Sequence, residues 1–375
     1  MTSAGRLLEA AHLIVVKVGG SLLVPMGEPD VVFADGVVRT VCHWIEQGKK
    51  VVVVSSGAIM LGREEFAART VSVDSKAMAF KQALAGIGQI QLMRLYSRLF
   101  SQCGISVGQV LLSAGDFSHR PTYINARNTL LMLLELGVVP IVNENDTVGV
   151  EEIKFGDNDT LSALVAGLLD ADLLVIISDV EGLHTADPRK ESQARLVELV
   201  EKIDSSIETM AQGTCAEGRA GGMRTKIEAA KITARTGVPL LLGGGSEFLL
   251  NLAEGSPKGT LFMPTQTRLQ AKKRWIAYGA RIRGTLIIDE GAKEAVAACG
   301  GSLLPVGIKE VKGEFQRGDS VRLLDSEGCE VGRGISYYSS NELVKIKGCH
   351  SSDIESILSY KYANEAVHRD NMVLL

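Results

Sequence analysis

Residues 13–21 read Leu-Ile-Val-Val-Lys-Val-Gly-Gly-Ser, and this stretch predicts the fold of the chain. Leu13–Val18 is a short run of branched apolar residues, which is typical of a strand buried on both faces of a sheet. The two glycines predict a tight turn, and a helix is expected from about Pro29 to Gln47. Gly48 can end that helix, and Lys50–Val54 is the next predicted strand. The first fifty residues therefore predict a strand–helix–strand unit.

The same alternation continues along the chain. Further helices are predicted over Ser75–Cys103, about Thr122–Leu136, Asp157 or Asn158 to Leu169, and Met223–Thr236. Further strands are predicted over Ile105–Leu112, Val138–Val142, Asp172–Ile177 and Val238–Leu242. Strands that alternate with helices imply βαβ units. We therefore predict an α/β fold, with an open, mainly parallel sheet sandwiched by helices.

The pattern changes near Pro264, which predicts a second domain. Residues 265–274 are polar and basic, as a linker would be. Beyond them, short strand-like runs are separated by glycine-containing turns, with one short helix around Ala292–Cys299. These runs are Thr285–Asp289, Ser320–Leu324 and Leu343–Ile346. We predict one domain over 1–264, a linker over 265–274, and a small, mainly-β domain over 275–375.

The composition excludes several classes of protein. Of the 375 residues, 46% are hydrophobic and 22% are charged, which is typical of a globular protein. The 40 Lys and Arg residues face 44 Asp and Glu residues, which argues against a general nucleic-acid binder. No apolar run reaches the 18 residues of a membrane span. The six cysteines form no C-x-x-C pair and the six histidines no cluster, which favours reduced thiols, a cytoplasmic location and no zinc site.

Polar or glycine-rich segments follow several of the predicted strands. Lys17 precedes Gly19 and Gly20, and 55–58 reads Ser-Ser-Gly-Ala. Asn-Glu-Asn-Asp occupies 143–146, and Gly-Asp-Asn-Asp-Thr at 156–160 opens a helix. Helix capping needs only one of the three polar residues at 157–159, so a functional role is favoured for them. Ligands of parallel sheets bind outside the carboxyl ends of the strands, which predicts one common site for these segments.

Two later segments predict phosphate binding. Ser178-Asp179 follows a predicted strand, and the glycine-containing loop 218–226 enters a helix that carries Lys226. Backbone N–H groups at a helix N-terminus bind anions, and a lysine adds positive charge. The alternatives are a flexible loop with a solvated basic face at 218–226 and a plain tight turn at Gly19-Gly20.

Taken together, these motifs resemble the amino acid kinase family. The segments that carry the resemblance are 15–21, 55–59, 143–146, 154–159, 178–183, 185–189 and 221–226. The tail resembles a PUA domain at 273–276, 303–308 and 366–370. The resemblance covers nearly the whole chain and keeps the order of the motifs. It implies the amino acid kinase fold followed by a PUA domain.

The resemblance also implies an activity. ATP would phosphorylate the γ-carboxylate of L-glutamate to L-glutamyl 5-phosphate, the first step of proline biosynthesis, with Mg2+ as cofactor. A carboxylate is ionised at neutral pH, so the reaction needs no general base and no catalytic histidine. Feedback inhibition by proline, a homo-oligomer (dimer or tetramer) and hand-over of the product to glutamyl-phosphate reductase are further expectations, with no membrane partner.

The resemblance assigns roles to individual residues. The lysines would neutralise the moving phosphoryl group and either aspartate would hold them in place, which makes the implied catalytic residues Lys17, Lys226, Asp157 and Asp159. Glutamate would be bound by Ser56, Asn143, Asp146 and Asn158, with Asp146 taking the ammonium group. ATP would be bound by Lys17, Ser178, Asp179, the amides of Gly19 and Gly20, and the loop Ala220, Gly221, Gly222, Met223, Arg224, Thr225 and Lys226. No protein ligand is assigned to a metal.

Three positions depart from the pattern of the family, and they concern contacts to ATP. Gly20 stands where the family often has threonine, Ala220 precedes the Gly-Gly pair where threonine is usual, and Arg224 replaces a common serine. These departures leave both lysines in place. We hypothesise that Arg224 adds a contact to a phosphate.

Three alternatives remain open. The first is a sibling kinase of acetylglutamate, aspartate, carbamate or a nucleoside monophosphate. The second is an RNA-binding protein that acts through the PUA-like tail. Residues 275–375 hold 12 Lys and Arg against 14 Asp and Glu, so an RNA partner is disfavoured. The third is a catalytically inactive regulatory relative.

Overall fold

The fold is described from a computed structural model that covers residues 2–67, 77–148, 158–188, 190–191, 193–213, 222–265, 282–297 and 300–374. The chain divides into two compact units. The first consists of Met1–Ser118 and Asn125–Gln266, and the second of His119–Ile124 and Thr267–Leu375. The linker predicted over 265–274 lies outside the described residues except at Thr265, so the predicted domain boundaries stay predictions.

An eight-stranded sheet forms the centre of the first unit. Its strands are β1 Leu13–Val18, β2 Lys50–Ser55, β3 Val107–Leu112, β4 Val139–Glu144, β5 Leu173–Ser178, β6 Leu199–Val200, β7 Leu240–Gly244 and β8 Thr260–Phe262. Their spatial order is β3-β4-β2-β1-β5-β7-β8-β6, and every pair is parallel except β7 with β8. The prediction of a mainly parallel sheet is confirmed. Strand β1 lies in the middle of the sheet, between β2 and β5.

Helices flank this sheet. They are α1 Ser3–Ala10, α2 Gly20–Leu23, α3 Val31–Glu46, α4 Ala58–Ala67, α5 Met78–Ser101, α6 Ala114–Ser118, α7 Arg120–Glu135, α8 Asn158–Leu169, α9 Ser205–Gly213, α10 Met223–Thr236 and α11 Gly245–Ala253, with a 3-10 turn at Pro25–Gly27. Within the described ranges, none of the helices has the length and apolarity needed to span a bilayer.

The two faces of β1 pack against different helices. Ile14, Val16 and Val18 belong to an apolar core that also contains buried residues of α3, α5 and α11. Successive side chains of a strand point to opposite faces, so Lys17 points away from that core. Helix α8 contacts β1 and packs against α10. Helix α8 therefore covers the face of β1 that carries Lys17, and α10 packs beside α8.

The second unit is built on a five-stranded sheet. Its strands are β9 Ile282–Ile288, β10 Ile308–Lys312, β11 Ser320–Leu324, β12 Glu330–Ile335 and β13 Met372–Leu374, in the order β10-β9-β11-β12-β13. Within the described residues beyond Thr265, the other elements are helices Glu290–Ala297, Ser340–Ile346 and Ile354–Leu358, with 3-10 turns at Pro305–Gly307 and Arg369–Asn371. A separate apolar core fills this unit. The prediction of a mainly-β unit at this end of the chain is confirmed.

One predicted strand of the second unit is wrong. Leu343–Ile346 was expected to be extended, but it belongs to the helix Ser340–Ile346. The Ser339 N–H donates to Glu342 Oε2 at 2.7 Å, and the Glu342 N–H donates back to Ser339 Oγ at 3.4 Å. This reciprocal capping box starts a helix. Leu343 and Ile346 then share one buried face at a spacing of three residues.

Candidate active site

Strand β1 delivers a lysine to the carboxyl edge of the sheet. Lys17 pairs in register with Val54 of β2, one residue before β2 ends, and with Ile176 of β5, two residues before β5 ends. Its side chain is only 4% exposed. A buried ammonium group is stable only when a partner offsets the loss of water. The neighbours of Lys17 therefore define the site.

The partner is Asp159, which contacts two lysines at once. Lys17 Nζ contacts Asp159 Oδ1, and Lys226 Nζ lies 3.1 Å from Asp159 Oδ2. Asp159 is fully buried and Lys226 is 3% exposed. One carboxylate thus joins two ammonium groups that come from a strand and from a helix far along the chain. Asp157, the other aspartate predicted for this role, lies outside the described residues.

The electrostatic balance keeps Asp159 ionised. Burial by itself raises the pKa of this carboxyl group, but the adjacent charges of Lys17 and Lys226 outweigh that effect. Hydrogen bonds from Lys17 and Thr225 lower the pKa further. The result is a pKa well below the usual value for aspartate. Asp159 therefore stays ionised at neutral pH.

Two helix N-termini meet at this cluster. Asp159 is the second residue of α8, and Thr225 and Lys226 lie in the first turn of α10. Thr225 Oγ1 donates to Asp159 Oδ2 at 2.9 Å. Helix N-termini carry partial positive charge and unpaired N–H groups, which favour anions. The two N-termini and the two lysines together make an anion-binding arrangement.

A chain of side-chain amides lies next to the charged cluster. Asn158 Nδ2 donates to the Ser55 carbonyl oxygen at 2.9 Å, to Ser56 Oγ at 2.7 Å and to Asn143 Oδ1 at 2.9 Å. Asn143 Nδ2 in turn donates to Gln89 Oε1 at 2.8 Å. The end of β2, the loop after it, the end of β4 and the start of α8 are therefore joined by hydrogen bonds. Three of the residues predicted to bind substrate, Ser56, Asn143 and Asn158, come together here.

Two polar atoms in this chain of amides are buried with no bond to any described residue. They are Asn158 Oδ1, which can accept a hydrogen bond, and Gln89 Nε2, which can donate two. A buried polar atom without a partner costs about 1–3 kcal/mol, so such atoms are normally satisfied. An α-amino acid carries an ammonium donor and carboxylate acceptors, which complement this pair.

Sequence reasoning missed Gln89. It lies on α5, where the Leu and Met positions were interpreted as packing. Gln89 is 8% exposed and occupies the buried face of the helix, four residues after Ala85 and three before Leu92. An amide at an apolar-face position has to find a polar partner. That mismatch with the helical period is the signal that could have identified it.

The glycines after β1 differ in what they contact. The Gly19 N–H donates to the Ile177 carbonyl oxygen at 3.1 Å, as a continuation of the pairing between β1 and β5. This N–H is therefore engaged within the sheet, and the predicted contact of the Gly19 amide with a phosphate stays a prediction. At Gly20 an added Cβ would lie 3.2 Å from Gly57 N and from Ser56 Cβ. Gly20 thus allows the loop after β1 to approach the loop after β2.

The carboxyl end of β5 forms a second part of the edge. Ser178 is buried and its Oγ donates to Asp179 Oδ1 at 3.0 Å, while Asp179 is exposed. At Gly244, at the end of β7, a Cβ would lie 2.2 Å from the Ser178 carbonyl oxygen and 2.4 Å from that of Val180. Sequence reasoning missed this close approach, although the glycine run 243–245 directly after a predicted strand was a visible signal.

Of the remaining residues predicted to bind glutamate or ATP, some are described by the structure and others are not. Asp146 is half-buried in the turn after β4, Gly222 caps α10, Met223 is buried and Arg224 is exposed. Ala220 and Gly221 lie outside the described residues.

No three His, Cys, Asp or Glu side chains within the described ranges are grouped as a metal ion would require. Both oxygens of Asp159 already contact ammonium or hydroxyl groups, so this carboxylate does not fit a metal.

Comparison with protein families gives two matches. The model of the amino acid kinase family matches residues 12–243, which is more than half of the chain. The model of the PUA domain matches residues 284–358.

Similar proteins cover nearly the whole chain. "Glutamate 5-kinase" of Syntrophotalea carbinolica is 45% identical over 370 residues, covering 98% of this chain and 98% of that protein. "Glutamate 5-kinase" of Deinococcus radiodurans is 46% identical over 369 residues, covering 96% and 99%. A solved structure of carbamate kinase from Giardia lamblia bound to AMP-PNP matches with a TM-score of 0.49 and 17% identity, covering 68% of this chain and 99% of that one.

Proposed function

This chain belongs to the amino acid kinase family, and we propose that it transfers the γ-phosphoryl group of ATP to the γ-carboxylate of L-glutamate. The products are ADP and L-glutamyl 5-phosphate. The relatives named glutamate 5-kinase match this chain over almost its full length, which supports the choice of substrate. The observation that carries the proposal is the contact of Asp159 with both Lys17 and Lys226 at two helix N-termini.

The charged cluster suits a phosphoryl group in transit. Two anions must approach each other, and charge on the transferred group must be neutralised. Lys17 comes from the sheet and Lys226 from α10, so they approach the cluster from two elements. Asp159 holds both ammonium groups in position before substrate arrives. Each preorganised donor of this kind is worth about 10²–10³ in kcat.

The chain of amides suits the amino acid. Asn158 Oδ1 would accept a hydrogen bond from the ammonium group, and Gln89 Nε2 would donate to a carboxylate. Ser56, bonded to Asn158, would contact the substrate from the loop after β2. Asp146 would provide the counter-charge for the ammonium group from the turn after β4. Satisfying the buried donor and acceptor would favour an α-amino acid over a substrate that lacks either group.

The reaction requires little from the protein beyond the positioning of ATP and the γ-carboxylate. The attacking γ-carboxylate oxygen is ionised at neutral pH, so no residue has to remove a proton. It forms a bond to the γ-phosphorus of ATP as the bond to the β–γ bridging oxygen breaks. Lys17 and Lys226 stabilise the charge that develops on the phosphoryl oxygens. Asp159, kept ionised between them, is a positioning residue rather than a base.

ATP would lie along the ends of β5 and β7 and the N-terminus of α10. Ser178, Asp179 and residues 222–226 are proposed to contact it, together with Gly20. The exposed Arg224 in the first turn of α10 would add a contact to a phosphate. Mg2+ would enter with ATP and neutralise its phosphates. Among the described residues no three His, Cys, Asp or Glu side chains are grouped to hold the ion, so no step is assigned to it.

Regulation and assembly complete the proposal. Proline would compete with glutamate, because it carries the same ammonium and carboxylate groups that the amide chain complements. A homo-oligomer, hand-over of the acyl phosphate to glutamyl-phosphate reductase, and a cytoplasmic location where ATP and glutamate are available are also proposed. A rise in the apparent KM for glutamate on addition of proline tests the competition. An inhibition insensitive to glutamate would contradict it.

The test of function is ADP release with ATP, Mg2+ and L-glutamate, with hydroxylamine present to trap the acyl phosphate as a hydroxamate. Glutamate-dependent hydroxamate is expected. Aspartate, N-acetylglutamate, carbamate and UMP form the comparison panel. Turnover with a panel member instead would contradict the assignment of L-glutamate as the substrate. No turnover with any of these compounds would contradict the proposed kinase activity.

Two lysine variants of α10 separate a site effect from a folding effect. Lys226→Ala should abolish hydroxamate formation because it removes an ammonium group from the cluster. Lys231→Ala changes a lysine of the same helix that forms surface pairs with Glu208 and Glu228. It should keep the activity. Thermal unfolding of both variants shows whether each one is folded.

A further inference from the structure

Helix α5 holds the ends of two neighbouring strands through two buried polar side chains. Gln89 is hydrogen-bonded to Asn143 near the end of β4, and Tyr96 Oη lies 2.9 Å from Ser55 Oγ at the end of β2. Gln89 and Tyr96 are seven residues apart, which places them on one face of the helix. Tyr96 also belongs to the apolar core. It therefore reaches the edge of the proposed glutamate site from the side of that core.

The donor in the contact between Tyr96 and Ser55 can be assigned. Tyr96 is fully buried, and burial raises the pKa of its hydroxyl group to about 12, so Tyr96 stays protonated at neutral pH. Ser55 is also fully buried, and its hydroxyl group donates to the Ser56 carbonyl oxygen at 3.2 Å. A serine hydroxyl group has one proton, so Tyr96 is the donor to Ser55 Oγ. The chain of hydrogen bonds runs from Tyr96 through Ser55 to the backbone of Ser56.

Three hydrogen bonds hold Ser56 in place. Its N–H donates to the Val18 carbonyl oxygen at 3.3 Å, its carbonyl oxygen accepts from Ser55, and its Oγ accepts from Asn158 at 2.7 Å. No described residue accepts the hydroxyl proton of Ser56, so this proton can be donated to a substrate carboxylate. The next residue, Gly57, has a φ of +111°, so the chain turns here. The direction of the Ser56 hydroxyl group therefore depends on how the turn is held.

We propose that Tyr96 is a positioning residue for glutamate, which acts through Ser55 to fix the turn that presents the Ser56 hydroxyl group to a substrate carboxylate. The inference rests on the proposed function, because it takes glutamate as the ligand of Ser56. No covalent bond forms or breaks at Tyr96, so loss of its hydroxyl group should weaken glutamate binding and leave phosphoryl transfer intact. The proposed ATP contacts lie on β5, β7 and α10, so ATP binding should not change.

The first variant removes the hydroxyl group and keeps the ring. Tyr96→Phe leaves an aromatic ring in the core beside Phe100, where the ring centroids are 6.3 Å apart. The KM for glutamate in the hydroxamate assay should rise about 3- to 10-fold, as the loss of one hydrogen bond would cause. The kcat and the KM for ATP should stay unchanged. The rise in unfolding temperature that glutamate causes should become smaller, because that rise depends on affinity.

A double-mutant cycle tests whether Tyr96 acts through Ser55. Ser55→Ala removes the intermediate hydroxyl group and should raise the KM for glutamate at least as much as Tyr96→Phe does. The double variant should have the same KM for glutamate as Ser55→Ala alone, because both substitutions break one chain of hydrogen bonds. If the two effects multiplied in the double variant, the residues would act independently and the proposal would be overturned.

Tyr338→Phe is the matched control. Tyr338 is also fully buried and its hydroxyl group donates to the Ala363 carbonyl oxygen, but it lies in the second unit. This variant should unfold at a lower temperature with an unchanged KM for glutamate. The same result for Tyr96→Phe would show a purely structural role and overturn the proposal. Wild-type protein that forms no glutamate-dependent hydroxamate would contradict the proposed function, and this inference with it.

Discussion

Replacing Asp159 with asparagine tests how the charged cluster is built. The substitution keeps the shape of the side chain and removes the charge that contacts both Lys17 and Lys226. At an effective dielectric constant of about 20, unit charges separated by the 3.1 Å of the Lys226 pair attract by about 5 kcal/mol. Desolvation offsets part of this, and removing one partner of a buried pair costs about 3–5 kcal/mol. We expect Asp159→Asn to lose that amount of unfolding free energy.

The expected loss translates into two measurements. Each kcal/mol shifts the unfolding temperature of a domain of this size by about 2–4 °C, so calorimetry should show a decrease of at least about 6 °C. The lysines would no longer be held for the phosphoryl group, and kcat in the hydroxamate assay should fall by about 10²–10³-fold. An unfolding temperature within about 1 °C of wild type, with unchanged kcat/KM, would refute the reasoning.

A matched control and a pH series sharpen this test. Asp170→Asn makes the same chemical change at a partly exposed pair with Arg127, and it should cost less than about 1 kcal/mol. The pKa of Asp159 is lowered by folding, so its stabilisation is complete above the pKa of the unfolded chain, about 3.9, and is lost as the pH falls further. The difference in unfolding temperature between wild type and Asp159→Asn should be constant from about pH 8 to pH 5. It should narrow below about pH 4.

Three further substitutions probe the other parts of the site. Asn158→Ala removes the amide that donates to Ser56 and should raise the KM for glutamate about 10-fold, since a hydrogen bond of this kind contributes about 1 kcal/mol or more. The KM for ATP should stay unchanged in the same hydroxamate assay. Gly244→Ala places a Cβ 2.2 Å from the Ser178 carbonyl oxygen, so it should raise the KM for ATP and cost about 1–3 kcal/mol of stability in thermal unfolding. Arg224→Ser should raise the KM for ATP without changing the KM for glutamate, because it removes a proposed phosphate contact.

Each of these results has a contradicting outcome. An Asn158→Ala variant that changes the KM values for ATP and glutamate equally would argue against a specific role in glutamate binding. Gly115→Ala adds a Cβ where no atom lies within 4 Å. If it lost as much stability as Gly244→Ala, the loss would come from replacing a glycine in general and not from the close approach at Gly244. An unchanged KM for ATP in Arg224→Ser would remove the hypothesis of a phosphate contact.

Much of the first unit could be predicted because local patterns determine its elements. The helix expected over Met223–Thr236 has these same bounds in the structure, and the strand expected at Leu13–Val18 is β1. Apolar periodicity and glycine stops act within a few residues, so they are visible in the sequence. The sequence predicts a site at the carboxyl edge of the sheet for a related reason: parallel strands present their carboxyl ends together. Polar residues after those strands therefore converge.

The tertiary structure decided which of these residues touch. Gln89 was read as part of a packing helix, and only the fold brings its amide to Asn143. The Gly19 amide was expected at a phosphate, but pairing with β5 engages it, because β1 lies in the middle of the sheet. The order of strands depends on long-range packing, which no local pattern encodes.

The sequence by itself therefore determined the α/β class, the smaller second unit and the set of chemistry-bearing loops, because these depend on short-range periodicity and on residue type. Only the tertiary structure decided that Asp159 joins Lys17 to Lys226 and that Asn158 donates to Ser56 and Asn143. These contacts connect residues that are distant in the chain. They exist only when the burial of apolar surface brings a strand and several helices together. Because these polar groups have lost contact with water, their stability in the fold depends on each of these contacts.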